Sequence, residues 1–235
     1  MRLGFTLQIE LFYAQLLTDL ISASSSVFRI LAPLHPRFII SGCRKDIPTT
    51  NEDRLRLSEE VREIETKLRL SAFPDSFVLK QEWAVRIGDL QSCLLRHQPD
   101  IVHFSGHGSP KSEIVLEDSA GKSQAVPVRA LEGLFSTLKD NIRCVVLNAC
   151  HSQPQATAIA QHIDCVIGMS KAINDKAAIS FAASFYQALA YGRSVGEAHK
   201  LGCNQIHMEN LGDEDVPCLL APGADPNNIF FVERA

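Results

Sequence analysis

Ile101-Val102-His103-Phe104-Ser105-Gly106-His107-Gly108 and Cys144-Val145-Val146-Leu147-Asn148-Ala149-Cys150-His151-Ser152 are the two stretches on which the fold turns. Each opens with a short apolar run bounded by polar or glycine-containing sequence, which reads as a strand buried on both faces. Each then runs into residues that carry chemistry. In a mostly parallel sheet the carboxyl ends of the strands share one edge, and sites form beyond that edge. The two endings therefore meet there, His107 from one strand and Cys150 from the other.

Working outward, the same alternation continues on both sides. Phe38–Ile40, Phe77–Leu79 and Cys165–Gly168 read as further strands, and Ile229–Val232 as a late one. Between them lie helical patterns over 51–70, 87–95, 128–138, 155–162, 177–191 and 195–206. In the first of these, Leu55, Val61, Ile64 and Leu68 form the apolar side, with Glu59, Glu60, Arg62, Glu63 and Lys67 placed outside. Ile114–Leu116 and Ala125–Val126 flank the turn signal Asp118-Ser119-Ala120-Gly121 and predict a hairpin, with Glu117 and Asp118 on its surface. Strands alternating with helices give an α/β fold with helices on both faces of the sheet.

Residues 5–21 form one more amphipathic pattern, with Ile9, Phe12, Tyr13, Leu16, Leu17 and Leu20 apolar. The serine cluster Ser22 and Ser24–Ser26 ends it. The expected organisation is an N-terminal helix and linker over 1–35, followed by a main domain over 36–235. That helix either packs on its own domain or docks a partner.

Composition narrows the function classes. The chain has 235 residues, 46% apolar and 21% charged, which excludes disorder as its dominant state. Lys and Arg number 23 against 27 Asp and Glu, a net of −4, so no basic patch argues for nucleic acid. No run is apolar enough for a membrane span, and Leu3–Ile21 carries Gln8, Glu10, Gln15 and Asp19. No secretory signal is recognised. Seven cysteines without a CxxC read as reduced thiols of a cytoplasmic protein.

A thiol and an imidazole at one sheet edge make a nucleophile and its base. The glycines beside His107 let a substrate carbonyl approach the backbone. The amides of Gly108 and Cys150 are placed to form an oxyanion hole. The helix expected after Cys150 favours a thiolate through its dipole. His103, inside its strand, reads as a core residue. His151 adjoins the nucleophile but points elsewhere. Neither His103 with His107 nor Cys150 with His151 has the further ligands a zinc site needs, so no metal and no cofactor are expected. Asp175 either caps the helix that follows it or lines the pocket for the residue before a scissile bond.

His-Phe-Ser-Gly-His-Gly at 103–108 and Leu-Asn-Ala-Cys-His-Ser at 147–152 resemble the CHAT domains of the caspase-like cysteine peptidases, the clan that includes separases and metacaspases. The two motifs lie roughly 40 residues apart, against the ~50 quoted for caspases. Leu55–Val61, Gly168–Ser170 and Gly192–Val195 extend the resemblance over about residues 36–220. It implies a three-layer α/β/α sandwich around a mostly parallel sheet, with His107 as general base, Cys150 as nucleophile and Gly108 as an oxyanion donor. It also implies a protein substrate, an activating or sensor protein as partner, and a role in stress or antiviral defence signalling. Metacaspases carry Asp two residues before the cysteine; here Asn148 stands there. With Asp175, and Asp164 just before the fifth strand, that pocket is expected to prefer a basic or neutral residue over an acidic one. The other reading is a non-catalytic interaction module that keeps the fold.

Overall fold

The computed structural model describes residues 37–42, 57–83, 85–106, 108, 113–118, 120 and 122–232. The expected N-terminal helix, the first part of the 51–70 helix and His107 lie outside these residues.

Six strands build the main sheet: β1 (Arg37–Gly42), β2 (Val78–Trp83), β3 (Ile101–Ser105), β6 (Cys144–Asn148), β7 (Cys165–Met169) and β8 (Pro217–Leu220). Their order is β2-β1-β3-β6-β7-β8. All neighbours are parallel except β8, which runs antiparallel to β7. A separate hairpin pairs β4 (Ile114–Glu117) with β5 (Ser123–Val126). Its turn is held by Asp118 Oδ1, which accepts from the amides of Ala120 and Lys122.

The central strands β3, β6 and β7 are buried at every position, because helices cover both faces. Side chains alternate between the two layers. Ile101, Cys144, Val146 and Ile167 face α1 (Leu57–Arg69), α5 (Asp175–Ala190) and α6 (Val195–Met208). Val102, Phe104, Val145, Leu147 and Val166 face α2 (Ile87–His97), α3 (Val128–Thr137) and α4 (Gln153–Ile159). The result is the expected three-layer sandwich. Its two cores are independent, filled by Phe181, Phe185 and Tyr186 on one side and by Leu131, Phe135 and Ile159 on the other.

Two strand expectations change. β2 extends through Lys80, Gln81, Glu82 and Trp83, beyond the apolar triplet. It is an edge strand with one covered face, so polar residues suit it. Residues 229–232 are not a strand. The late strand is 217–220, opened by Pro217, which an edge position tolerates at its first residue. Ile229, Phe231 and Val232 are buried against the core as an irregular segment, fastened where the Val195 amide donates to Ile229 O at 2.9 Å.

Helix ends follow local chemistry. α6 opens with a capping box: Ser194 Oγ accepts from the Glu197 amide, and Glu197 Oε2 accepts from the Ser194 amide. Between α5 and α6 the chain reverses at Gly192, whose φ of 71° only glycine adopts without strain.

Candidate active site

The parallel register sets the edge where chemistry gathers. Ser105 pairs with Asn148 at the carboxyl ends of β3 and β6, so the chain leaves both strands side by side. Residues 148–152 then make a tight turn. Ser152 Oγ donates to Leu147 O at 2.8 Å and accepts from the Met169 amide at 2.9 Å, pinning the turn to β6 and β7. His151 takes φ of 57°, the left-handed conformation the turn demands, and its amide donates to Lys171 O at 3.3 Å. The backbone of His151 thus helps to shape the turn.

Cys150 stands at this turn, half-buried, with Sγ 3.9 Å from Ile173 O. The chain on either side of His107 lies against it. The Gly106 amide approaches Asn148 O at 3.5 Å. A Cβ on Gly108 would meet Cys150 O at 1.8 Å and Cys150 N at 3.2 Å, so only glycine fits. The expected pairing of the two strand ends is thus present in the backbone, one residue before and one after His107.

Cys93, Cys144, Cys165 and Cys203 differ in setting. Burial pushes Cys144 well above the usual thiol range, and lifts Cys165 to about 12 and Cys203 to about 11. Cys93 is raised by burial, with Glu82 adding to it. Such thiols are inert near neutral pH. Cys150 lines a narrow cleft with a cavity volume of about 30 Å³. The α4 helix after it begins at Gln153, slightly earlier than expected, and is only seven residues long. Its buried Gln155 instead ties the hairpin down, accepting from the Ile114 amide and donating to Val126 O.

Beneath the cleft lies a buried polar network that corrects the helix reading. Glu60 is not on the outside of α1: it is 3% exposed. It sits three residues after Leu57 and four before Ile64, on the apolar stripe itself. Period two along β3 and β6 turns His103, Ser105 and Asn148 toward this same face. Asn148 Nδ2 donates to Glu60 Oε1 at 2.6 Å, and His103 Nε2 lies 3.0 Å from that oxygen. Ser105 Oγ donates to Glu60 Oε2. One carboxylate thereby clamps the residue two before His107 and the residue two before Cys150.

Tyr186 completes the chain of bonds. Burial pushes its phenol well above the ordinary range, so it stays protonated, and its hydroxyl is hydrogen-bonded to His103 Nδ1 at 3.1 Å. A carboxylate only accepts, so His103 Nε2 carries the proton it donates to Glu60. The carboxylate also sits in the first turn of α1, where the helix dipole favours negative charge. His103 is a core residue, as expected, and it orients Glu60.

Asp175 lines the cleft with Glu60, Asn148 and Cys150. The capping alternative falls to its neighbour, because Asn174 Oδ1 accepts from the Lys176 amide. Asp164 does not belong here. It precedes β7, and in a parallel sheet the amino ends of the strands form the opposite edge. Sequence reading missed Glu60, Ser105 and Tyr186. The spacing of Glu60 from Leu57 and Ile64 was the available signal. Among the described residues no cluster could hold a metal ion, and no helix is long and apolar enough to cross a membrane.

Comparison with known proteins agrees with this architecture. A Roc-COR-CHAT protease from an unknown prokaryotic organism is 28% identical over 129 residues, covering 52% of this chain and 12% of that protein. A probable protease of Gillisia limnaea is 24% identical over 162 residues, covering 67% of this chain and 29% of that protein. The chain thus spans less than a third of either relative. Caspase-1 of Spodoptera frugiperda superposes with a TM-score of 0.57 at 11% identity, over 86% of this chain and 91% of that one. The Arg-specific cysteine proteinase gingipain R does so with a TM-score of 0.57 at 10% identity, over 83% of this chain and 47% of that one. These last two are likenesses of fold. The family model of the CHAT domain matches residues 11–200, starting inside the segment set apart above as 1–35, and the chain belongs to the CHAT domain family.

Proposed function

We propose that the chain is a cysteine endopeptidase that cleaves protein substrates through a His107–Cys150 dyad. The observation that carries this reading is the close backbone approach of Gly106 and Gly108, which flank His107, to the Asn148–Cys150 segment. His107 takes the Cys150 proton, and the thiolate attacks the peptide carbonyl carbon. The oxyanion rests on the amides of Gly108 and Cys150. The tetrahedral intermediate expels the amine, which His107 protonates, leaving a thioester on Cys150. Water, deprotonated by His107, then releases the acid and restores the thiol. No metal or cofactor enters these steps.

The names of the two curated relatives, both proteases, favour an enzyme over a non-catalytic interaction module. A protein of this kind needs control. We infer a separate activating or sensor protein, and a place in bacterial stress or antiviral defence signalling within the cytoplasm. Residues 1–35 are the proposed docking or regulatory segment, with 11–35 also falling inside the CHAT match.

Mapping of new N-termini in a host lysate tests the enzyme reading. Wild type generates cleavage products; Cys150→Ala and His107→Ala each generate none, while circular dichroism shows all three folded. The double variant is no worse than either single one, because the pair acts as a unit. Undiminished cleavage by a folded Cys150→Ala protein overturns the assignment.

A further inference from the structure

We propose that the cleft beside Cys150 binds the side chain preceding the scissile bond and selects lysine or arginine, with Glu60 as its buried counter-charge and Asn148 Oδ1 as its acceptor. This rests on the peptidase reading and names the substrate class for that same site.

The first observation is an acceptor without a donor. Asn148 is 6% exposed and lines the cleft. Its Nδ2 donates to Glu60 Oε1 at 2.6 Å and to Ala178 O at 3.3 Å. Its Oδ1 is buried and has no hydrogen-bond partner among the described residues. Flipping the amide does not remove the problem. The two neighbours of Nδ2 are a carboxylate and a carbonyl, both acceptors, so the NH₂ must face them. Buried polar groups are nearly always paired, and an unpaired one at a binding cleft calls for a donor from the ligand.

The second observation is charge. Glu60 and Asp175 bring two carboxylates to the cleft, and no Lys, Arg or His lines it among the described residues. His103 reaches the carboxylate through Nε2, 3.0 Å from Oε1, while Oε2 takes the Ser105 hydroxyl. A carboxylate offers about four lone-pair positions, and His103, Ser105 and Asn148 occupy three of those of Glu60.

The third is shape. Leu57, Ile173, Ala178 and Ile179 supply apolar walls around this polar floor. The free space at the floor is about 30 Å³, so what suits walls and floor together is a slender methylene stem lying along the walls with only its cationic donor reaching the floor. A norleucine stem fits the walls but leaves Asn148 Oδ1 unpaired. An aspartate meets two like charges.

Peptidyl chloromethyl ketones with Lys, Arg, norleucine or Asp next to the warhead provide the test, with Cys150 labelling of the full chain followed by intact mass spectrometry. Lys and Arg are expected to label at least about 10-fold faster than norleucine, and Asp slowest. Asp175→Asn and Glu60→Gln should each narrow the Lys-to-norleucine ratio. Equal or faster labelling by norleucine or Asp overturns the proposal. If no peptide probe labels Cys150 while iodoacetamide does, the peptidase reading is what fails. The pocket is then judged separately on Cys150→Ala, by titrating Nα-acetyl-lysinamide and Nα-acetyl-norleucinamide and following amide resonances. A preference of about 10-fold for the lysine compound supports it; indistinguishable binding overturns it.

Discussion

Replacing Glu60 by alanine removes the acceptor for three buried donors at once. The Asn148 amide, His103 Nε2–H and the Ser105 hydroxyl all converge on its carboxylate, and all three residues are buried. Each orphaned donor costs ~1–3 kcal/mol, so a simple sum is roughly 3–9 kcal/mol. The three share one network, and water entering the vacated space recovers part of the loss, which places the expected cost at ~3–5 kcal/mol. That is a large share of the ~5–15 kcal/mol that holds a domain folded. Glu60→Gln keeps one acceptor oxygen, and the Ser105 hydroxyl can rotate to accept from the new NH₂. Its cost should be only ~1–2 kcal/mol. Urea denaturation followed by circular dichroism reads both. At a slope of about 2 kcal/mol/M, the alanine variant should lower the midpoint by roughly 1.5–2.5 M and the glutamine variant by under about 1 M. Glu59→Ala, one residue away and exposed, serves as the control and should stay within ~0.5 kcal/mol of wild type. An alanine variant as stable as that control would refute the clamp.

Gly108→Ala should destabilise the protein by ~3 kcal/mol or more and abolish labelling at Cys150, because the new methyl meets the Cys150 backbone rather than a movable side chain; an unchanged melting curve would contradict the close approach. Tyr186→Phe removes the hydroxyl that is hydrogen-bonded to His103 Nδ1 and should cost about 1–2 kcal/mol in urea, whereas a neutral result would show that the phenol contributes nothing to the network. Under native conditions at pH 8, iodoacetamide should modify Cys150 at least ~10-fold faster than Cys144, Cys165 or Cys203, read by peptide mass mapping, since burial holds those three protonated. The same burial makes stability fully present below about pH 9, the ordinary thiol value, and lost as pH climbs through the raised values, because the unfolded chain sheds its protons first; a flat urea midpoint from pH 8 to 10.5 would count against it. Deleting residues 1–26 should change assembly state, partner binding or activity, and a truncated protein matching the full chain in all three would make that segment inert.

What the sequence determined by itself was the layer architecture and the two endings that meet. Cys144–Leu147 is apolar without interruption and Ile101–Phe104 is broken only by His103, a pattern that suits strands covered on both faces. Parallel strands put their carboxyl ends on one edge, so Ser105 and Asn148 were bound to neighbour each other once β3 and β6 paired. Edges were less legible. β2 and β8 carry polar residues or proline because one side of each lies at the sheet margin, and apolar patterning weakens where burial does. The chemistry beneath the cleft was decided only by tertiary structure. Glu60 reads as one more charge on a charged helix, and its burial depends on three donors that arrive from two strands far along the chain. A carboxylate is placed inside a protein by the partners that compensate it, and those partners are set by packing rather than by neighbours in sequence. Asp164 and Asp175 make the same point in reverse. Similar in sequence setting, they lie beyond opposite ends of one strand, and only the direction of β7 through the sheet assigns one of them to the cleft.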